Sequence, residues 1–138
     1  QRLFGSAQIP PAVHRELLSK VGEEAARLDE GLAQFIAVAT MPPLPPEVRV
    51  TTARLGAGEQ QAIALAYALK TPLMIDDQQG RAAASRLSIP LLGTVGVLLR
   101  AKETNLIDEV RPILEEIRRQ GYWLSDELLS VATRLAGE

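Results

Sequence analysis

Pro72-Leu73-Met74-Ile75-Asp76-Asp77-Gln78-Gln79-Gly80-Arg81 passes from a short apolar run through two acids into a helix, and its reading decides the fold class. Leu73-Met74-Ile75 is too short to be a helix, and the proline before it and the acids after it bound it as a buried strand. Upstream, Glu59 to Lys70 is the most regular helical stretch of the chain. Downstream, a helix over Arg81 to Leu87 leads to Ile89-Pro90-Leu91-Leu92, a second apolar strand that ends in Gly93-Thr94. Strands alternating with helices in this way predict an α/β fold with a small parallel sheet covered on both faces.

Working outward, Ser6-Ala7-Gln8-Ile9 reads as a short edge strand, and Pro10-Pro11 presets φ for a helix through Ala12 to Lys20. Gly22 separates that helix from another over Glu23 to Gln34, and Phe35-Ile36-Ala37-Val38-Ala39 is expected to be a buried strand. Met41-Pro42-Pro43-Leu44-Pro45-Pro46 contains four residues without an amide hydrogen, which makes it a loop. Past Thr94, a helix runs through Leu99, Ala101 and Lys102, and Val110, Ile113, Leu114 and Ile117 form one face of a helix stopped at Gly121. Ser125-Asp126-Glu127 is a capped, acidic start to a last helix. No repeat or linker divides the chain, so residues 1–138 are expected to form a single domain.

Composition narrows the chemistry. With 138 residues, 46% of them hydrophobic and 23% charged, the chain falls in ordinary globular usage, which excludes disordered, collagenous and rod-like classes. It has no cysteine, so a disulfide scaffold, a thiol nucleophile and a cysteine-based zinc or iron-sulfur site are impossible, and a reducing cytoplasm is compatible. One histidine, His14, excludes multi-histidine zinc sites and leaves oxygen as the metal donor. No apolar run approaches the roughly 20 residues that span a bilayer, so no membrane association is expected. A net charge of −2 gives no broad basic footprint, so contact with a nucleic acid would be local or bridged by metal.

Within these bounds few side chains suggest chemistry. Glu59 shares a helical face with Ala62, Ile63 and Ala66, a stripe that points into the core or a cleft. It reads either as a half-exposed acid at a helix N-terminus or as a ligand for a cation. Asp76 and Asp77 follow an apolar strand, the position where open parallel sheets place their sites. One of the two can face a cleft shared with Glu59 while the other caps the next helix. Thr94, also past a strand end, either caps a helix from Val95 or places a water or phosphate. Arg81 and Lys102, with Arg86 and Arg100, are candidates for steering phosphate, or simply solvated helix surface. Gly56-Ala57-Gly58 lacks the third glycine of a dinucleotide loop, Gln61 standing in its place. With only 4% aromatic residues, Tyr122-Trp123 is expected to pack against the last helix rather than to form a base-stacking platform.

Taken together, Leu55-Gly56-Ala57-Gly58-Glu59-Gln60-Gln61-Ala62-Ile63-Ala64-Leu65-Ala66, Ile75-Asp76-Asp77-Gln78-Gln79-Gly80-Arg81 and Gly93-Thr94-Val95-Gly96-Val97-Leu98-Leu99 followed by Ala101-Lys102 resemble a branch of the PIN-domain family related to VapC ribonuclease toxins. The opening Leu3-Phe4-Gly5, the Ile9-Pro10 step and the Gly121 region fit the same pattern. The resemblance implies a three-layer α/β/α fold and cleavage of RNA by water activated on Mg²⁺ or Mn²⁺ held by carboxylates. Carried over residue by residue, Glu59 matches the helix-borne acid, and Asp77 or its neighbour Asp76 matches the acid at the strand end. Thr94 stands where the family places a polar or acidic residue.

The resemblance also implies a cytoplasmic location, possible homo-oligomers and an antitoxin partner that covers the cleft. Family members open with an apolar strand ending in aspartate and then a helix, and the sequence here begins after both. The expected missing piece is on the order of 20 or more residues. The rival expectation is a non-catalytic PIN-like binding or assembly module with an incomplete metal site.

Overall fold

The computed structural model describes residues 1–19 and 22–138. Gln1–Leu92 and Gly93–Glu138 form two compact units. In the first, β1 (Ala7–Ile9) leads into α1 (Pro11–Leu18), α2 (Glu23–Gln34), β2 (Ile36–Val38), α3 (Pro46–Thr52), α4 (Ala57–Leu69), β3 (Leu73–Met74), α5 (Gln78–Arg86) and β4 (Leu91–Leu92). The second contains α6 (Thr94–Glu103), α7 (Arg111–Arg119) and α8 (Asp126–Leu135). Lys20, the last residue of the helix expected from the sequence, lies outside the described residues.

The strand pairing among the described residues is parallel, as the helix-strand alternation predicts. β1 pairs with β2 in the register Ala7↔Ile36 to Ile9↔Val38, with α1 and α2 in the crossover. β3 pairs with β4 in the register Leu73↔Leu91 and Met74↔Leu92, with α5 in the crossover. The described strands thus form two parallel pairs, a mixed α/β architecture of the PIN-like kind.

β2 corrects one expectation. Its apolar run reads as a buried strand, yet Ala37 is exposed and Val38 is 43% exposed. An apolar run states that side chains can be buried, not how many neighbours a strand has, and among the described residues β2 is bonded to β1 alone.

Helix α3 was not legible, because its first residue closes the proline-rich loop. Pro46 sits at the first helical position, where its missing N–H is one the helix leaves unpaired anyway. The Tyr67 hydroxyl of α4 then donates to Glu47 at 2.8 Å and ties α3 down. The Glu47 carboxyl is held below its usual range by its own backbone N–H and by Tyr67, whose phenol is pushed up in turn.

The core of the first unit is built on α4, whose Ile63 and Ala64 are fully buried against Val48, Leu73, Ala84 and Ile89. Alanines on α4 and α5 let backbones approach closely, so the unit gains contact through proximity rather than bulk. In the second unit Val110, Leu114, Leu124 and Ala132 form the core between α7 and α8, with Leu98 and Leu99 packed against it. Ser125 caps α8 as expected, its hydroxyl accepting from Leu128 N–H at 3.1 Å.

Trp123, expected to pack against α8, is instead 82% exposed. Gly121, at φ +95, turns the chain just before it, and it is Leu124 that goes into the core.

Candidate functional site

Helix α4 starts on a turn that depends on small residues. Gly56 is its N-cap with extended backbone, and Glu59, three residues on, accepts the Gly56 N–H through Oε2 at 2.7 Å. This is the carboxylate arm of a capping box, and glycine supplies no side chain for the other arm. The Gln60 amide closes the turn by donating to the Leu55 carbonyl at 3.0 Å. Glu59 is left half-buried, with Ile63 and Ala66 of its stripe in the core and Ala62 facing a cleft.

That cleft holds about 230 Å³ and is lined by Val13, Glu16, Gly56, Gly58, Glu59 and Ala62. Met74 and Ile75, at the end of β3, complete it. It therefore lies at the carboxyl end of a parallel strand, where the sequence places a site.

Glu16, from α1, is the residue that sequence reasoning missed. A Cβ built on Gly58 would lie 2.7 Å from Glu16 Oε1 and 3.0 Å from Oε2, so the carboxylate rests directly on the first turn of α4. Its signal in the sequence was faint: Glu16 stands four residues after Ala12 and three after Val13, at the spacing that shares a helical face, and its side chain is itself exposed. The helix dipole favours both carboxylates at this end of α4.

Asp76 and Asp77 follow directly on Ile75. Asp77 is the N-cap of α5, with Oδ2 accepting the Gly80 N–H at 2.6 Å, so of the two acids it performs the capping role. Arg81 Nη1 donates to the Ile75 carbonyl at 2.8 Å, which directs this guanidinium to the strand end that carries both acids. Lys102 is engaged elsewhere: its ammonium donates to Glu138 at 2.7 Å. Thr94 is the first residue of α6 in the second unit, after the N-cap Gly93.

The donor set is all oxygen, as suits Mg²⁺ or Mn²⁺, and two protein carboxylates with water completing the shell is an ordinary arrangement for such ions. No lysine or arginine pairs with Glu16 or Glu59 among the described residues, where no group of three or more potential ligands is assembled. The residues present thus fit a partly hydrated divalent ion rather than a closed protein cage.

A family model for the PIN domain matches residues 1–138, and the chain belongs to that family. Neither a curated protein nor a solved structure matches it. PIN domains are generally nucleases that act on nucleic acids and depend on divalent metal. Among the described residues no helix is long and apolar enough to cross a membrane.

Proposed function

We propose that this chain is a divalent-metal-dependent ribonuclease of the VapC-like type, with Glu16 and Glu59 holding Mg²⁺ or Mn²⁺ in the cleft at the start of α4. The observation that carries this reading is the convergence of two carboxylates, from helices far apart in sequence, over one glycine-lined helix start beside a strand end. Asp76 is the further candidate ligand, next in the chain after the cleft-lining Ile75, and Asp77 caps the helix that follows. A bound divalent ion supplies the Lewis acidity that activates water and offsets charge on a phosphodiester. Glu16 and Glu59 would fix the position of that ion, and Arg81 holds the Ile75 carbonyl at the strand end just before Asp76. Lys102 drops out of the phosphate-steering role in this proposal, since Glu138 already holds it.

The same reading gives RNA as substrate, and an antitoxin covering the cleft or a second copy of the chain as protein partner. The test is RNA cleavage with Mn²⁺ and with chelator, beside calorimetric Mn²⁺ titration of the parent chain, Glu59→Gln and Glu16→Gln. Glutamine keeps an acceptor for the Gly56 N–H while removing the charge, so the fold should survive. Saturable binding should weaken at least about a hundredfold in each variant, given that even partners outside the coordination shell cost 10–100-fold. A folded parent chain that binds no Mn²⁺ would instead support the non-catalytic module.

A further inference from the structure

Helices α1 and α4 touch at two rungs. At one, the Ala12 N–H donates to Gln61 Oε1 at 2.8 Å. At the other, Glu16 rests on Gly58 at the distance where a Cβ would collide with its carboxylate. Ala12 and Glu16 are one turn apart on α1, and Gly58 and Gln61 one turn apart on α4, so the helices run past each other in opposite directions along these rungs. The rung spacing is about 6 Å on α1 and about 4.5 Å on α4 from the helical rise, close enough for one to set the other.

The first rung is unusually determined. Helix α1 is capped by Pro10 without any side-chain bond and begins at Pro11, which has no N–H to give. Ala12 is therefore its first amide donor, and Ala12 is 3% exposed. Water does not reach that donor freely, and the Gln61 side chain, reaching across from α4, is the acceptor that satisfies it.

We propose that Gln61 and Gly58 are the positioning residues of the carboxylate pair: Gln61 fixes the axial register of α1 on α4, and Gly58 leaves the space into which Glu16 is thereby set beside Glu59. This rests on the metal-site reading above and assigns how the site is held. Neither residue touches the ion. Gln61 acts through Ala12 and one turn of α1, and Gly58 acts by having no side chain.

The experiment is Mn²⁺ titration by calorimetry, with circular dichroism melts as the control for folding. Gln61→Met keeps the length and removes the acceptor, and Gln61→Glu keeps an acceptor. Gly58→Ala leaves the Ala12 bond in place and moves only the tip of a flexible side chain, so the fold tolerates it. Gln61→Met and Gly58→Ala are each expected to weaken Mn²⁺ binding about tenfold, the lower end of the usual loss for a supporting residue. Gln61→Glu should bind at least as well as the parent.

If the effect passes through Glu16, adding Gln61→Met to Glu16→Gln should change affinity by less than about twofold, because residues acting as one unit are not additive. A parent chain that does not bind Mn²⁺ overturns the metal reading itself. A binding parent with unchanged affinity in Gly58→Ala and in folded Gln61→Met overturns the positioning roles alone, and full additivity with Glu16→Gln overturns the route through Glu16. Should Gln61→Met fail to fold, Gly58→Ala and Gln61→Glu decide the matter by the same criteria.

Discussion

At the start of α7 the Glu138 carboxylate accepts the Val110 N–H at 2.7 Å, the Arg111 N–H at 3.0 Å and the Lys102 ammonium at 2.7 Å. At the start of α4 the Glu59 carboxylate takes the Gly56 N–H at 2.7 Å, and Glu16 lies beside it over Gly58. Both helix starts attract negative charge for the same reason, the unpaired amides and aligned dipoles of a first turn. They differ in what supplies the positive partner. Glu138 has its own lysine and two amides, is drawn down to about 2, and locks α6, α7 and the chain end together. The α4 pair places two like charges in one cleft with no protein cation paired to them among the described residues, an arrangement that a divalent ion would complete. The saturated carboxylate serves structure, and the pair without a protein cation is the one proposed above to hold metal.

The comparison can be broken first at the cores. Leu114→Ala empties a fully buried position in the second unit and should cost about 2–5 kcal/mol, read by chemical denaturation. If the Mn²⁺ affinity of the folded fraction fell with it, the separation between structural and functional carboxylates would be lost. A smaller effect is expected from Ser125→Ala, about 1 kcal/mol from the lost α8 cap, with Mn²⁺ binding unchanged.

Acid titration sharpens the contrast. The carboxyl of Glu138 titrates lower in the folded chain than in the unfolded one, so its contribution to stability is complete above the ordinary glutamate range near 4.5. That contribution falls away as pH drops from there towards 2. Glu138→Gln should flatten this part of the stability profile, with no change in Mn²⁺ binding at neutral pH. A profile indifferent to the substitution would show that the three donors do not hold the carboxylate in solution. Tyr67→Phe should show the smallest effect, a slight loss of thermal stability from releasing Glu47, since exposed pairs of this kind contribute little.

Much of this was legible in the sequence. Alternating apolar runs and helical stripes gave the parallel pairing, because both patterns are set locally by which residues can be buried. The Ser125 cap, the start of α5 at an acid and the burial of Ile63 and Ala66 behind Glu59 follow from the same local rules. Glu16 did not, because its importance depends on a contact between helices separated by about 40 positions, through a glycine whose role is to be absent. Nor did α3, whose leading proline signals a loop as readily as a first helical residue. The capping of α5 by Asp77 shows how a sequence can narrow a choice to two neighbours and leave geometry to divide the work between them.

One exposed side chain shapes how all of this can be watched. Trp123 is the chain's single tryptophan and stands 82% in solvent in the native state. Indole emission shifts to the red when water can reorient around the excited ring, so the folded protein already glows close to the colour of an unfolded one. Melting followed by the wavelength of that light would look like no transition at all, whereas the helical signal of circular dichroism would report it fully. The same ring is, for the same reason, a sensitive lamp for anything that covers it, since loss of that water would turn its emission towards the blue.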